Sequence, residues 1–439
     1  MPTKLSVIGT NYLGANTAAG LAEFGFQVIG VDVDESRVKR LNSGRAPLHE
    51  PGLDDLLQKH CRAGNLHFTT DYREIADWAD IHFICVGTPQ SKETNAADLS
   101  QLNSVVDSLA PLLTKGALIV GRSTVPVGTS EIIEERFHRE APAAGAVQVA
   151  WQPEFLRESH GIQDTLNPDR LVFGVRSKGA EDQLRSVFAR PITAGSPVIV
   201  TSRETAELVK TAANSFLAMK ISYVNSLASM CDAAGADVTK LSDALGYDGR
   251  IGREMLTAGV GYGGGCLPKD LRGLIARAEE LGTHEIVELL GAVDRINQRR
   301  RRRIVDIVDE IFIETWSGRT VAVLGAAFKV GTDDVRDSPA LDVAGQIHSR
   351  GAQVNVYDPM AVGNAQNDRP MLTYCSSVTA ACQGADVVLH LTDWPEFGEI
   401  NPYELKSVVA NPAIVDGRLT LNSAAWRAAG WDFRAPGCP

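Results

Sequence analysis

The pattern that most limits how this chain can fold occurs twice. Near the amino terminus, Leu5-Ser6-Val7-Ile8-Gly9 is a short apolar run closed by glycine, followed by a helical stretch through Phe24 and a second run from Phe26 to Val33. From Thr320 the same plan returns: Val321-Ala322-Val323-Leu324-Gly325, a helical stretch, then Ala352-Gln353-Val354-Asn355-Val356-Tyr357-Asp358. Strand, glycine turn, helix and strand make a βαβ unit, and strands this uniformly apolar belong in a parallel sheet covered by helices. Further strands are predicted at Ile81–Val86 and Ala117–Val120, so the first 195 or so residues read as an open, mostly parallel sheet. The segment Trp78-Ala79-Asp80-Ile81-His82-Phe83-Ile84-Cys85 is paralleled by Gly384-Ala385-Asp386-Val387-Val388-Leu389-His390-Leu391, which points to duplicated nucleotide-fold halves.

Between Glu204 and Arg303 the strand signals vanish. One helix is predicted from Thr205 to Cys231, with so few charges that most of it should be buried. A second carries Ile286, Leu289, Val293 and Ile296, then a five-arginine run from Arg299 to Arg303 that reads as a solvated face. The expected fold class is therefore α/β: two Rossmann-like, doubly wound domains, residues 1–198 and 315–439, joined by a central α-helical segment, residues 199–314.

Composition removes several functions. Fifty-four acidic against 43 basic residues leave a net charge of −11, which argues against nucleic acid as a partner. No run approaches the roughly 18 apolar residues of a membrane span, so no membrane partner is expected. The seven cysteines are scattered and never spaced CxxC, and no HxxxH pair occurs, so neither disulfides nor a metal site is expected. A strand starting at Leu5 leaves no room for a signal peptide, making a reducing cytoplasm the expected compartment.

Four stretches carry the chemistry. Gly9-Thr10-Asn11-Tyr12-Leu13-Gly14 occupies a strand-to-helix turn where a dinucleotide fingerprint would sit, and Asp32 ends the next strand where an acid can accept from ribose hydroxyls and repel a 2′-phosphate. NAD is thus expected over NADP. Asn11 stands at the middle glycine position, so Asn11→Gly is expected to tighten NAD binding. The second stretch runs from Gly259 to Asp270, a glycine-rich loop leading into a helix opened by Pro268. Cys266 lies just before that helix, where unpaired N–H groups favour a thiolate, and is the candidate nucleophile, with Asp270 four residues on. The third is the pair Lys210 and Asn214, whose four-residue spacing puts them on one helical face; Glu154 and Glu158 share that spacing at the predicted ligand edge of the sheet. The fourth, Ser123-Thr124-Val125-Pro126-Val127-Gly128-Thr129, follows a strand, so its hydroxyls face a ligand or cap the next helix.

In this order, these stretches, with Pro153-Glu154-Phe155-Leu156-Arg157-Glu158, Ala327-Phe328-Lys329 and Asp334-Val335-Arg336, resemble the UDP-glucose/GDP-mannose dehydrogenase family over essentially the whole chain. The resemblance implies two successive NAD-dependent oxidations of one sugar carbon, from alcohol through aldehyde to carboxylate, and within the family it points to UDP-glucose as the nucleotide-sugar partner. It implies attack by Cys266 on the aldehyde, giving a thiohemiacetal and then a thioester. Lys210 would stabilise oxyanion charge, Asn214 position the sugar oxygen, Asp270 and Thr124 hold a water, and Glu154 act as base for thioester hydrolysis, with Glu158 joining this catalytic set by contacting both that region and the cofactor. For the cofactor it implies Gly9, Asn11, Tyr12, Leu13, Gly14 and Asp32, together with Arg37, Thr88, Thr124, Glu158 and Arg336. For the substrate it implies Glu154, Phe155, Leu156, Arg157, Lys210 and Asn214, then Tyr262, Gly263, Cys266, Phe328, Lys329 and Arg418. Arg250 would reach in from an adjoining subunit, implying a homodimer or larger homo-oligomer. Gly265 stands where many members carry serine. GDP-mannose as substrate, a two-electron hydroxyacid dehydrogenase and a non-catalytic nucleotide-sensing module remain as alternatives.

Overall fold

The structure is a computed structural model that describes residues 3–91, 93–313 and 315–438. Glu314, where the helical segment is expected to end, lies outside the described residues. The chain divides into two compact units, Met1–Ala213 and Asn214–Pro439.

The first unit is built on eight strands: β1 Lys4–Ile8, β2 Gln27–Val31, β3 Leu66–Thr69, β4 Ile81–Ile84, β5 Leu118–Gly121, β6 Gln148–Trp151, β7 Leu171–Gly174 and β8 Val198–Thr201. They lie in the order β3-β2-β1-β4-β5-β6-β7-β8, parallel throughout except where β7 meets β6. Leu5, Val7, Phe83, Ile119 and Val120 are all fully buried, as two-sided coverage by helices requires.

In the second unit β9 Thr320–Leu324, β10 Gln353–Tyr357, β11 Thr373–Tyr374, β12 Val387–His390, β13 Ala413–Asp416 and β14 Asp432–Arg434 form a wholly parallel sheet ordered β11-β10-β9-β12-β13-β14. This is the order of the first six strands of the other sheet, so the duplication inferred from sequence is real at the level of topology. It extends to single bonds. Gly9 at φ +83° donates to Val31 O and Gly325 at φ +109° to Tyr357 O, each at 2.8 Å. Asp80 accepts from Lys4 N at 3.0 Å, and Asp386 accepts from Thr320 N at 2.8 Å.

Two helical expectations are corrected. The helix Arg203–Ala234 is less buried than its composition suggests: within the second unit Phe216, Tyr223 and Met230, seven residues apart, are more than half exposed and form an apolar stripe. The arginine run sits within one continuous helix, His284–Phe312, and is not a solvated face. Arg299 and Arg302 are exposed, whereas Arg300 and Arg301 are buried and bond to the carbonyls of Gly259 and Tyr262. Neighbouring positions on a helix point about 100° apart, so a run of five charges cannot keep every member in solvent.

One buried residue sets a pH dependence. His82 on β4 is fully buried with Nδ1 2.8 Å from Ser6 Oγ, and burial pushes its pKa down to about 4. An unfolded chain takes up that proton near pH 6.5, so stability is complete above that value and declines as pH falls toward 4. Denaturant titrations at pH 7.5 and 4.5 are expected to differ by about 2.5 kcal/mol more in the native chain than in His82→Phe.

Candidate active site

In the first unit the sheet order reverses between β1 and β4, and there a cavity of about 590 Å³ opens, lined by Gly9, Asn11, Asp32, Arg37, Tyr72 and Ser104 among others. A β-carbon on Gly9 would lie 2.7 Å from the Val86 side chain, and one on Gly14 would lie 1.8 Å from Gly9 O. Both glycines are thus required for the turn and for helix Tyr12–Glu23 to sit against the strand. Asp32, almost buried at the cavity wall, accepts from Thr10 N at 2.7 Å and Arg37 Nη1 at 2.7 Å. Asn11 has φ −73°, an extended backbone any residue can adopt, so the missing glycine carries no strain. Asn11→Gly therefore acts through side-chain bulk alone, and NAD titration is expected to show affinity rising by about twofold; weaker binding would remove bulk as the explanation.

Around the cavity the loops are tied down. Thr88 Oγ1 donates to Thr124 O at 2.6 Å, and Ser123 Oγ to Val86 O at 2.7 Å. The buried Glu207 accepts from Gly128 N at 2.7 Å and Ser130 N at 2.5 Å, linking the Ser123–Gly128 loop to the helix that carries Lys210. Burial raises the Glu207 pKa against those donors. Lys210 Nζ lies 3.1 Å from Glu154 Oε1, and both side chains are largely buried. Phe155 stacks under the Arg170 guanidinium at 3.7 Å, with Lys210 5.7 Å from its ring. Residues 152–157 have no regular structure and 158–159 form a turn, so Glu154 and Glu158 do not share a helical face. The extended loop sends Glu154 back on itself, where Oε2 accepts from Leu156 N at 2.6 Å. Arg157 pairs with Asp164 at 2.6 Å.

Cys266 and Asp270 belong to the second unit. Cys266 is exposed and forms the amino-terminal cap of helix Leu267–Glu280, with Pro268 in the first turn. Asp270 is buried; Oδ2 accepts from Asn214 Nδ2 at 2.5 Å and Oδ1 from Lys269 Nζ at 2.6 Å. The preceding glycines pack too closely for side chains. A β-carbon on Gly263 would lie 2.2 Å from Asp337 O, one on Gly264 2.7 Å from the Phe328 ring, and one on Gly265 2.4 Å from the Arg336 guanidinium. Gly264 N also donates to Arg336 O at 2.9 Å. Gly265 thus makes room for Arg336, whose side chain pairs with Asp334. Tyr262 is buried with its backbone N and O both bonded to Asn297, and its hydroxyl pKa is raised by burial.

Arg418 Nε donates to Leu391 O at 2.6 Å and Nη2 to Phe328 O at 3.1 Å, so it braces the Phe328-Lys329 segment. Lys329 Nζ lies 5.8 Å from the Phe328 ring. Arg250 is highly exposed and pairs with Asp248 at 2.6 Å. The counterpart of Asp32 here, Asp358, accepts from Ala326 N, Ala327 N and Trp394 Nε1, so its carboxylate is consumed within the fold. Sequence reasoning did not single out Glu207 or Asp358, although the alignment of β10 with β2 is a signal for the second.

Three family models match in succession: the UDP-glucose/GDP-mannose dehydrogenase family NAD binding domain over residues 3–192, its central domain over 204–299 and its UDP binding domain over 322–423. The chain belongs to the UDP-glucose/GDP-mannose dehydrogenase family. Within this family it is 39% identical to a UDP-glucose 6-dehydrogenase of Bacillus subtilis, covering 99% of this chain and 93% of the relative. A UDP-glucose dehydrogenase structure from Pyrobaculum islandicum is similar with TM-score 0.92 and 34% identity, covering 100% of this chain and 98% of that one. A UDP-D-ManNAc dehydrogenase structure from Pyrococcus horikoshii is similar with TM-score 0.88 and 28% identity, each chain being 99% covered. The family's cofactor is NAD, and the glycine turn, cavity and Asp32 of the first unit fit it. Among the described residues no cluster able to hold a metal occurs, and no helix is long and apolar enough to cross a membrane.

Proposed function

We propose that the chain oxidises UDP-glucose at C6 to UDP-glucuronate, using two NAD per sugar, through a covalent intermediate on Cys266. The observation that carries this reading is an exposed cysteine capping a helix, one turn from a buried aspartate that is held by Asn214 and Lys269. NAD supplies acceptance of one hydride at each of two stages. The sulfur of Cys266 adds to the aldehyde carbon, the first turn of helix Leu267–Glu280 favouring negative charge there. Lys210 stabilises developing negative charge on oxygen, and Asn214 positions the sugar oxygen. Asp270 and Thr124 hold a water for proton transfer. Glu154 removes a proton from the water that hydrolyses the thioester, returning the thiol and releasing the carboxylate. Gly9, Asn11, Tyr12, Leu13, Gly14, Asp32, Arg37, Thr88, Thr124, Glu158 and Arg336 hold the cofactor. Phe155, Leu156, Arg157, Tyr262, Gly263, Phe328, Lys329 and Arg418 bind the nucleotide sugar.

The stripe of Phe216, Tyr223 and Met230 supports a homodimer, with Arg250 serving the partner's substrate. The seven scattered cysteines, never spaced CxxC, support a reducing cytoplasm. Incubation with NAD and a panel of UDP-glucose, GDP-mannose and UDP-N-acetyl sugars tests the reading. Two NADH per UDP-glucuronate is the expected result. One NADH per product would indicate a two-electron dehydrogenase, and preference for another sugar would reassign the substrate.

A further inference from the structure

Glu50 lies between helices Glu35–Asn42 and Leu53–Ala63, far in sequence from the stretches discussed above, yet it is only 5% exposed. Its carboxylate gathers three donors. Oε2 accepts from Tyr12 Oη at 2.7 Å and from Ser159 N at 3.0 Å, and Oε1 accepts from Gly161 N at 2.8 Å. The Tyr12 hydroxyl also stands 3.3 Å from Arg157 O. The backbone on both sides of Glu158 is therefore fixed, through the carbonyl before it and the N–H after it. Ser159 holds φ +71°, which a residue with a β-carbon adopts only when its surroundings enforce it. At Gly161 a β-carbon would lie 2.7 Å from Tyr12 Oη, so the clamp closes without slack. Three N–H or O–H donors need an acceptor-only group; a glutamine would turn its own N–H₂ toward one of them.

We propose that the Tyr12–Glu50 pair is a positioning device for Glu158, tying the first residue of the cofactor-turn helix to the backbone that presents this carboxylate. The inference rests on the reading of Glu158 as a cofactor contact. In this role both residues act through Glu158, and for Tyr12 the role is additional to the cofactor contact proposed above. A structural strut with no bearing on Glu158 would lower stability without singling out the cofactor.

The test is a double-mutant cycle on the full chain. NADH dissociation constants are measured by fluorescence titration, and KM values for NAD and UDP-glucose by turnover, for wild type, Tyr12→Phe, Glu50→Gln, Glu158→Gln and Tyr12→Phe/Glu158→Gln. Tyr12→Phe keeps the ring and its packing, so it remains informative should Glu50→Gln fold poorly. Tyr12→Phe is expected to weaken NADH and raise KM for NAD by about three- to tenfold with KM for UDP-glucose within about twofold, and to have no further effect once Glu158 is glutamine. Equal weakening in both backgrounds, no weakening by Tyr12→Phe, or parallel rises in both KM values would overturn the proposal. Wild type that binds NADH but does not oxidise UDP-glucose would instead refute the proposed function, and the titration cycle would still decide the role of the pair.

Discussion

Replacing Cys266 with alanine is expected to lower UDP-glucuronate formation by at least about a thousandfold while leaving NAD affinity within about twofold of wild type. The sulfur is the only protein group in the proposed scheme that forms a bond to carbon. Without it the aldehyde has no tethered form from which a second hydride can leave, because the hydrogen already on that carbon departs as hydride only from a tetrahedral adduct, whose oxygen then supplies the electron pair of the new C=O bond. Cys266→Ser keeps the shape and the cap position, but a hydroxyl is a far weaker nucleophile at neutral pH, so it is expected to fall near the alanine variant. Cys266 is not among the groups proposed to hold the cofactor, which is why cofactor binding should survive. Product quantified by chromatography with parallel NAD titration checks this, and undiminished uronate from the alanine variant would end the covalent scheme.

Lys210→Met is expected to reduce turnover about a hundred- to a thousandfold and also to destabilise the fold. The two effects have different origins. Loss of turnover follows from removing the cation assigned to oxyanion charge. Loss of stability follows from the 3.1 Å pair with Glu154, both of whose side chains are at least 86% buried: the carboxylate is stranded at a cost of about 3 kcal/mol. Adding Glu154→Gln should therefore recover most of the stability and none of the activity. Thermal or denaturant unfolding beside steady-state rates separates the two, and a double variant that regains turnover would overturn the roles assigned to both Lys210 and Glu154 and leave them a structural ion pair.

The extent to which this protein is legible in its sequence differs from feature to feature. Both sheets could be read because Leu5–Gly9, interrupted only by Ser6, and Val321–Gly325 are apolar runs ended by a glycine at positive φ. The cap position of Cys266 was legible because Pro268 and the glycines before it are local signals. By contrast, the spacing of Glu154 and Glu158 suggested a shared helical face where the chain is a loop, since four-residue spacing says nothing of regular structure by itself. The Arg299–Arg303 run misled because composition reports charge without direction, and Arg300 and Arg301 point inward to carbonyls 41 and 39 residues away in sequence.

The order of apolar runs, glycines and helical stretches by itself determined the two sheets, their repeated βαβ plan and the presence of a cofactor turn with an acid after the second strand. These are consequences of chirality, periodicity and turn sterics, all of which act over a few residues. Only the tertiary structure decided which buried charges meet: Glu50 with Tyr12 and the 157–161 loop, Glu207 with the Gly128 turn, Lys210 with Glu154, and Asn214 with Asp270. A buried polar group must be satisfied by whatever the packed chain brings within about 3 Å, and here those partners lie between 38 and 111 residues away.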